Sequence, residues 1–243
     1  AQHRIAEPHQ GIEPVNCQKQ KAKRLPEMIA AAQMGLLVGE DMLRLAAVHV
    51  IREIDLGAKD PKHKRRGELL GLITEDFEVL TADTDERCDI PEPDELCEEL
   101  AFRKACDVYS ILRRGNRNDN AIVIGCDTAV YAGGEILGKP RDRLDAERML
   151  GMLSGGWHTV TSGLALLTDS GVSVRHETTQ VRFESLSESE ISEYLETDEP
   201  YDKAGAYGIQ GYAARFVREI KGCYHNVVGL PVNLLYRMLK EIK

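Results

Sequence analysis

The stretch AIVIGCDTAVYAGGEILGKP, residues 121–140, decides how the rest of the chain is read. It begins with AIVIGC, an apolar run rich in β-branched side chains, bounded upstream by the polar segment RGNRNDN. A run of this kind reads as a strand buried on both faces. It gives way to Asp127 and Thr128, a carboxylate and a hydroxyl at the carboxyl end of a buried strand, where open α/β sheets bind their ligands. VYAGGEIL follows, two short apolar runs split by Gly133 and Gly134, which is a two-residue hairpin signal. The hairpin returns the chain to Gly138-Lys139-Pro140, a cation on a turn near the carboxylate. Taken alone, Asp127 reads equally well as a cap on the next turn. Lys139 shifts the balance towards a site.

The totals narrow the function classes. A chain of 243 residues that is 42% hydrophobic can bury one substantial core. A formal net charge of -9 argues against binding nucleic-acid backbone over a broad face, and an aromatic content of 5% argues against a stacking platform for single strands. An acidic chain that handles an anionic ligand must gather its cations locally. The cysteines at 17, 88, 97, 106, 126 and 223 show no CxxC pair and no metal-ligand spacing, so they read as free thiols of a reducing compartment. No apolar run reaches membrane-spanning length and no signal pattern opens the sequence, so the expectation is a cytoplasmic protein without membrane or nucleic-acid partners.

Outward from the central stretch, residues 1–24 are polar and aperiodic, and 25–54 carry a helical pattern in which AVHVIREI reads equally as a strand. KHKRR, residues 62–66, is the one dense basic cluster. It runs straight into GELLGLI, which reads as a helix, so cations and free backbone N–H groups meet there in a way that suits phosphate. Residues 77–80 read as a short strand, and an acidic segment follows in which Asp85 or Glu86 could hold a divalent cation. Residues 93–113 form an amphipathic helix with Lys104 bordering its apolar stripe. Such a lysine either snorkels from the helix edge or is delivered into a cleft.

Downstream, LDAERMLGMLSGG reads as a helix, and HTVTSGLALL and VSVRHETTQVRF as two strands of a hairpin. Ser187 and Glu190 make a capping box. DKAGAYGIQG, residues 202–211, is rich in glycine, which permits close backbone approach to a ligand, and Gln210 offers both a donor and an acceptor. Pro231 opens a last amphipathic helix.

Read together, RRGELL (65–70), FEVLTADTDE (77–86), LAFRKA (100–105), IGCDT (124–128), GEILGKP (134–140), MLSGGWHTVTSG (152–163), EPYDKAGAYGIQG (199–211) and NVVGLP (226–231) resemble the Maf family of nucleoside triphosphate pyrophosphatases, in the family's order and spacing. The resemblance implies an α/β fold, a Maf/ITPase-like mixed sheet with helices and two lobes around a central cleft, often as a homodimer. It also implies hydrolysis of a nucleoside triphosphate to the monophosphate and pyrophosphate with a divalent cation, Mg²⁺ or Mn²⁺. By position, Asp127 matches the family's proton acceptor and Glu86 an acidic site residue, the pair implied to hold the metal. Arg66, Lys104 and Lys139 match phosphate contacts, and Arg65, Thr128 and Gln210 match positions that select the substrate. The Asp-Thr and Ile-Gln-Gly versions of the motifs are similar to the branch acting on dTTP and UTP.

The family's opening Ser-x-Ser-Pro before its paired arginines is replaced here by PKHK, residues 61–64. The expected organisation is a divergent extension over 1–56 followed by a pyrophosphatase domain over 57–243. The substitution keeps a second expectation open, a catalytically weak nucleotide-binding or regulatory homologue. A purine-type house-cleaning enzyme has less support at residues 128 and 210.

Overall fold

A computed structural model describes residues 50–52, 61–80, 83–114 and 121–242, all within one compact unit, Arg44–Lys243. In chain order the elements are β1 (Val50–Arg52), α1 (Pro61–Leu70), β2 (Phe77–Val79), α2 (Pro93–Arg114), β3 (Ile122–Ala132), β4 (Glu135–Leu137), α3 (Arg143–Leu153), β5 (Trp157–Thr168), β6 (Gly171–Phe183) and α4 (Glu188–Leu195). Short 3₁₀ turns fill Pro200–Asp202, Ala204–Ala206 and Tyr212–Phe216, and then come β7 (Val217–Lys221), α5 (Tyr224–Val228) and α6 (Val232–Glu241). The strands form one mixed sheet in the order β2-β1-β3-β5-β6-β7, with β4 attached to β3. β1 lies parallel between β2 and β3, and β3 to β7 are antiparallel.

Side-chain alternation along β3 and β5 puts helices on both faces of the sheet. Ile124, Cys126, Leu164 and Leu166 pack with α1 and α6, through Leu70 and Leu235 among others. Their neighbours Val123, Ala165 and Leu167 pack instead with α2, through Ala101, Ala105 and Val108. Further along the same strands a separate core begins. Val130, Ala132 and Val160 join Leu150 of α3, Phe183 and Tyr194 there. The long strands therefore pass from two cores on opposite faces of the sheet to a third core further along, and the mixed sheet with helices is the one expected from the family resemblance.

At Gly125 and Gly163 the backbone of helix α2 lies directly against the sheet. A Cβ at Gly125 would stand 2.0 Å from the Ala101 carbonyl oxygen, and one at Gly163 would stand 2.1 Å from that of Cys97. Two glycines, on neighbouring strands, thus set how deeply the helix sits. At the β3–β4 hairpin, Gly133 (φ 59°) and Gly134 (φ 89°) both take left-handed backbone, which the two-residue link between paired Ala132 and Glu135 requires.

Several sequence expectations change at this level. Asp127 and Thr128 are in the middle of β3, because the strand continues through them to Ala132. The basic cluster is inside α1, which starts at Pro61. Arg65 and Arg66 therefore lie beyond the first four N–H groups that a helix leaves open, and act through their side chains. Val50–Arg52, in the stretch with two readings, is a strand, since its backbone pairs with β2 and β3. The rest of 25–54 and residues 1–24 lie outside the described residues. The Ser187 capping box is formed, with Glu190 Oε2 accepting from the Ser187 N–H at 2.8 Å.

Two outcomes follow from this packing. Gly163→Ala is expected to lower stability by about 3 kcal/mol in urea unfolding, since helix backbone must move to admit the methyl group. The second concerns His158, which is buried in an aromatic cluster with Phe183 and Tyr207. Burial pushes its pKa down to about 4, against ~6.5 in an unfolded chain. Between these values the unfolded state binds more protons, so the contribution is full above pH ~6.5 and declines as pH falls towards 4, by up to about 1.4 kcal/mol per pH unit. Unfolding at pH 7 and pH 5 should show this slope in the wild type and a flatter one in His158→Gln.

Candidate active site

Strand β3 has a gap in its pairing over residues 125–129, where Asp127 and Thr128 are its half-buried residues. Among the described residues, β1 pairs with Ile122, Val123 and Ile124, and β4 pairs with Val130, Tyr131 and Ala132. Between them no described strand pairs with the edge of β3 opposite β5, and a cleft of about 610 Å³ is lined by Asp127, Thr128 and Ala129. Because successive side chains leave opposite faces, Asp127 projects towards α2 and Thr128 towards α1 and α5. Both line the cleft.

On the Asp127 side, Lys104 is the central group. It is 3% exposed, and its Nζ donates to Asp127 Oδ1 at 2.6 Å and meets Glu86 Oε1 at 2.8 Å. The lysine is therefore delivered into the cleft, and the reading as a snorkelling edge residue is set aside. A buried ammonium is tolerable because two carboxylates compensate it. Asp85, the neighbouring candidate for a cation site, turns away. Its carboxylate takes two hydrogen bonds from the Arg87 guanidinium, at 2.9 and 3.0 Å. Those bonds hold its pKa down at about 2.

On the Thr128 side, Arg66 Nε donates to the Gly229 carbonyl at 3.0 Å and its NH2 reaches Thr128 Oγ1 at 3.5 Å. Arg65 faces Asp202 at 3.8 Å. Lys139 and Gln210 complete the set, so that Arg65, Arg66, Glu86, Lys104, Asp127, Thr128, Lys139 and Gln210, all singled out by sequence, line one cleft.

Lys203 also lines this cleft, and sequence reasoning passed over it. Its Nζ donates to the Glu199 carbonyl at 2.7 Å and to Asp202 Oδ1 at 2.5 Å. The available signal was a lone cation within the glycine-rich stretch. Two of those glycines also have a packing role. A Cβ at Gly208 would meet Lys203 Cε at 2.8 Å, and one at Gly211 would meet Glu199 Oε2 at 2.1 Å. They make room for the protein's own side chains. Glu199 occupies that room to bind the Tyr212 N–H at 2.7 Å and the Tyr194 hydroxyl at 3.1 Å. The loop is also tied to the turn bearing Lys139, through the Gly205 N–H to the Gly138 carbonyl at 3.1 Å.

Five cations (Arg65, Arg66, Lys104, Lys139 and Lys203) thus line a cleft in an acidic chain, an arrangement that suits a polyanion. Glu86 and Asp127 both reach one ammonium, so the two carboxylates flank the same point of the cleft. Among the described residues no group of three or more His, Cys, Asp or Glu side chains is gathered as a metal site. Mg²⁺ typically takes one or two protein carboxylates and fills its other positions with phosphate oxygens and water. The donor set fits a metal that arrives with its substrate. Cys97 and Cys106, on α2, are buried thiols, and desolvation pushes Cys106 up to about 12, so neither is a nucleophile. None of the described helices is long and apolar enough to cross a membrane.

Comparison with known proteins agrees with this architecture. The profile of the family described as Maf-like protein matches residues 62–242. A dTTP/UTP pyrophosphatase of Symbiobacterium thermophilum is 46% identical over 192 residues, covering 79% of this chain and 94% of the relative. The protein of that name from Clostridium tetani is 45% identical, covering 74% of this chain and 93% of its own length. The one from Aquifex aeolicus is 40% identical, with 73% and 90% covered.

Proposed function

The chain belongs to the Maf family, and on that footing we propose that it hydrolyses nucleoside triphosphates, dTTP and UTP first among them, to the monophosphate and pyrophosphate. The observation that carries this reading is Lys104 Nζ joined to Asp127 Oδ1 at 2.6 Å and to Glu86 Oε1 at 2.8 Å, on the wall of a cleft with four further cations. Relatives at 40–46% identity bear the name dTTP/UTP pyrophosphatase, which supports the same substrate class.

Hydrolysis of the anhydride between the α- and β-phosphates needs a water aligned with the phosphorus and neutralisation of the charge on the phosphate oxygens. Asp127 is the proposed proton acceptor. Its carboxylate takes the proton of the attacking water as the new P–O bond forms, and the pyrophosphate departs with the electron pair of the broken bond. Lys104 holds Asp127 in place through one carboxylate oxygen and meets Glu86 as well, so its charge stands where the phosphates would lie. Arg66, Lys139 and Lys203 take the remaining negative charge. When bound, a divalent cation held by Glu86 and Asp127 would supply further neutralisation of the triphosphate.

Arg65, Thr128 and Gln210 are the proposed readers of the nucleoside. Polar groups that a pyrimidine edge satisfies are left unpaired by the wrong base, and this is how a site of modest size rejects it. A second reading, binding without turnover, is kept by PKHK at 61–64 in place of the family's hydroxyl-bearing loop.

The test is pyrophosphate release from a panel of triphosphates with Mg²⁺. The wild type should turn over dTTP and UTP, and Asp127→Asn should lose at least ~100-fold in kcat while still unfolding cooperatively, at a lower midpoint because Lys104 loses one of its two compensating carboxylates. Nucleotide binding without turnover by the wild type would favour the second reading.

A further inference from the structure

Thr128 lies opposite Ser162 of β5 in the sheet register, and their hydroxyl oxygens are 2.8 Å apart. Ser162 is fully buried. Its Oγ also lies 3.3 Å from the Asn226 carbonyl oxygen, which can only accept. At the other end of the row, the Arg66 guanidinium, which can only donate, reaches Thr128 Oγ1 at 3.5 Å. Each hydroxyl owns one proton. The arrangement that uses both within the protein runs one way, from Arg66 N–H to Thr128, from Thr128 O–H to Ser162, and from Ser162 O–H to the Asn226 carbonyl. Hydrogen bonds aligned head to tail in this fashion reinforce one another.

The far end of the row is rigidly held. The Asn226 carboxamide donates to the Val160 carbonyl and to Thr179 Oγ1, each at 2.9 Å, which clamps α5 onto β5 and β6. The Gly229 N–H donates to the same Asn226 carbonyl at 2.9 Å. Ser162 thus meets a fixed acceptor.

We propose that Ser162 is a positioning residue that commits the Thr128 hydroxyl proton inwards, so that Thr128 presents an acceptor to the cleft and reads the N3–H of uracil or thymine. This rests on the pyrimidine triphosphate reading given above and deepens it. Uracil and thymine carry a proton on N3. Cytosine carries a lone pair there, and two acceptors facing each other leave both unsatisfied. Phosphate oxygens are acceptors too, so an acceptor at Thr128 belongs with the base. Gln210 cannot supply the distinction alone, because its side chain is exposed and a carboxamide can present either end.

The experiment compares kcat/KM for UTP, CTP and N3-methyl-UTP in the wild type and in Ser162→Ala, a change that keeps the buried volume. The wild type should favour UTP over both other substrates. In Ser162→Ala the Thr128 proton is released to point at cytosine N3. The UTP to CTP ratio should then narrow roughly tenfold, a hydrogen bond's worth. N3-methyl-UTP should stay as poor as before, since its methyl group blocks either polarity. An unchanged UTP to CTP ratio in Ser162→Ala overturns the proposal. So do equal gains for CTP and N3-methyl-UTP, which would mean only a looser pocket. Wild-type enzyme that accepts CTP or N3-methyl-UTP as readily as UTP overturns it without any variant. Turnover of UTP in that same assay upholds the pyrophosphatase reading independently, whereas wild-type protein inert towards every triphosphate overturns both.

Discussion

The contact between α2 and the bare backbone of Gly125 and Gly163 governs the rest of the site. With either glycine replaced, the helix would have to rise from the sheet, because its Ala101 and Cys97 carbonyls already stand about where a methyl group would go. Close seating brings Lys104, one turn along from Ala101, down to Asp127 and Glu86. A buried ammonium with 4% side-chain exposure is stable only with such compensation. Helix depth, lysine burial and carboxylate position are therefore one constraint seen from three elements.

The second organising feature is the gap along the edge of β3. A strand paired on both edges presents its side chains above and below the sheet, and no single ligand meets both rows. Among the described residues, β1 and β4 leave 125–129 without a strand partner on one edge. A ligand entering from that edge meets Asp127 on one face and Thr128 on the other. The proposed chemistry and the proposed base reading are thus separated by one residue of sequence and by the thickness of the sheet. The division also explains the two hydrogen-bond systems. Asp127 is tied to α2, and Thr128 to β5, α1 and the segment around Gly229.

Charge is arranged on the same plan. The acidic total keeps most of the surface unattractive to polyanions, while five cations share the cleft. Their positions depend on partners such as Asp202, which faces both Arg65 and Lys203. The glycine-rich loop supports this by internal packing. Gly208 clears the path of the Lys203 side chain, and Gly211 clears room for Glu199, whose carboxylate binds loop N–H groups.

What could be read from the sequence by itself was whatever depends on local pattern. The apolar run into Asp127, the Gly133-Gly134 hairpin, the α2 stripe, the Ser187 capping box and the order of the family motifs all rest on short-range chemistry, and the structure has each of them. The eight residues singled out as site candidates fall on one cleft because the motifs carry the residues that line it. Tertiary structure decided what depends on distant partners. Asp127 lies within a strand because β5 pairs with β3 beyond it. Lys104 is a cleft residue because two glycines on other elements admit its helix. The loop glycines serve Lys203 and Glu199, which spacing cannot show. The direction of the Thr128 hydroxyl follows from Ser162 and the Asn226 carbonyl, 34 and 98 residues away in sequence, since a hydroxyl takes its polarity from the acceptor that the fold sets beside it.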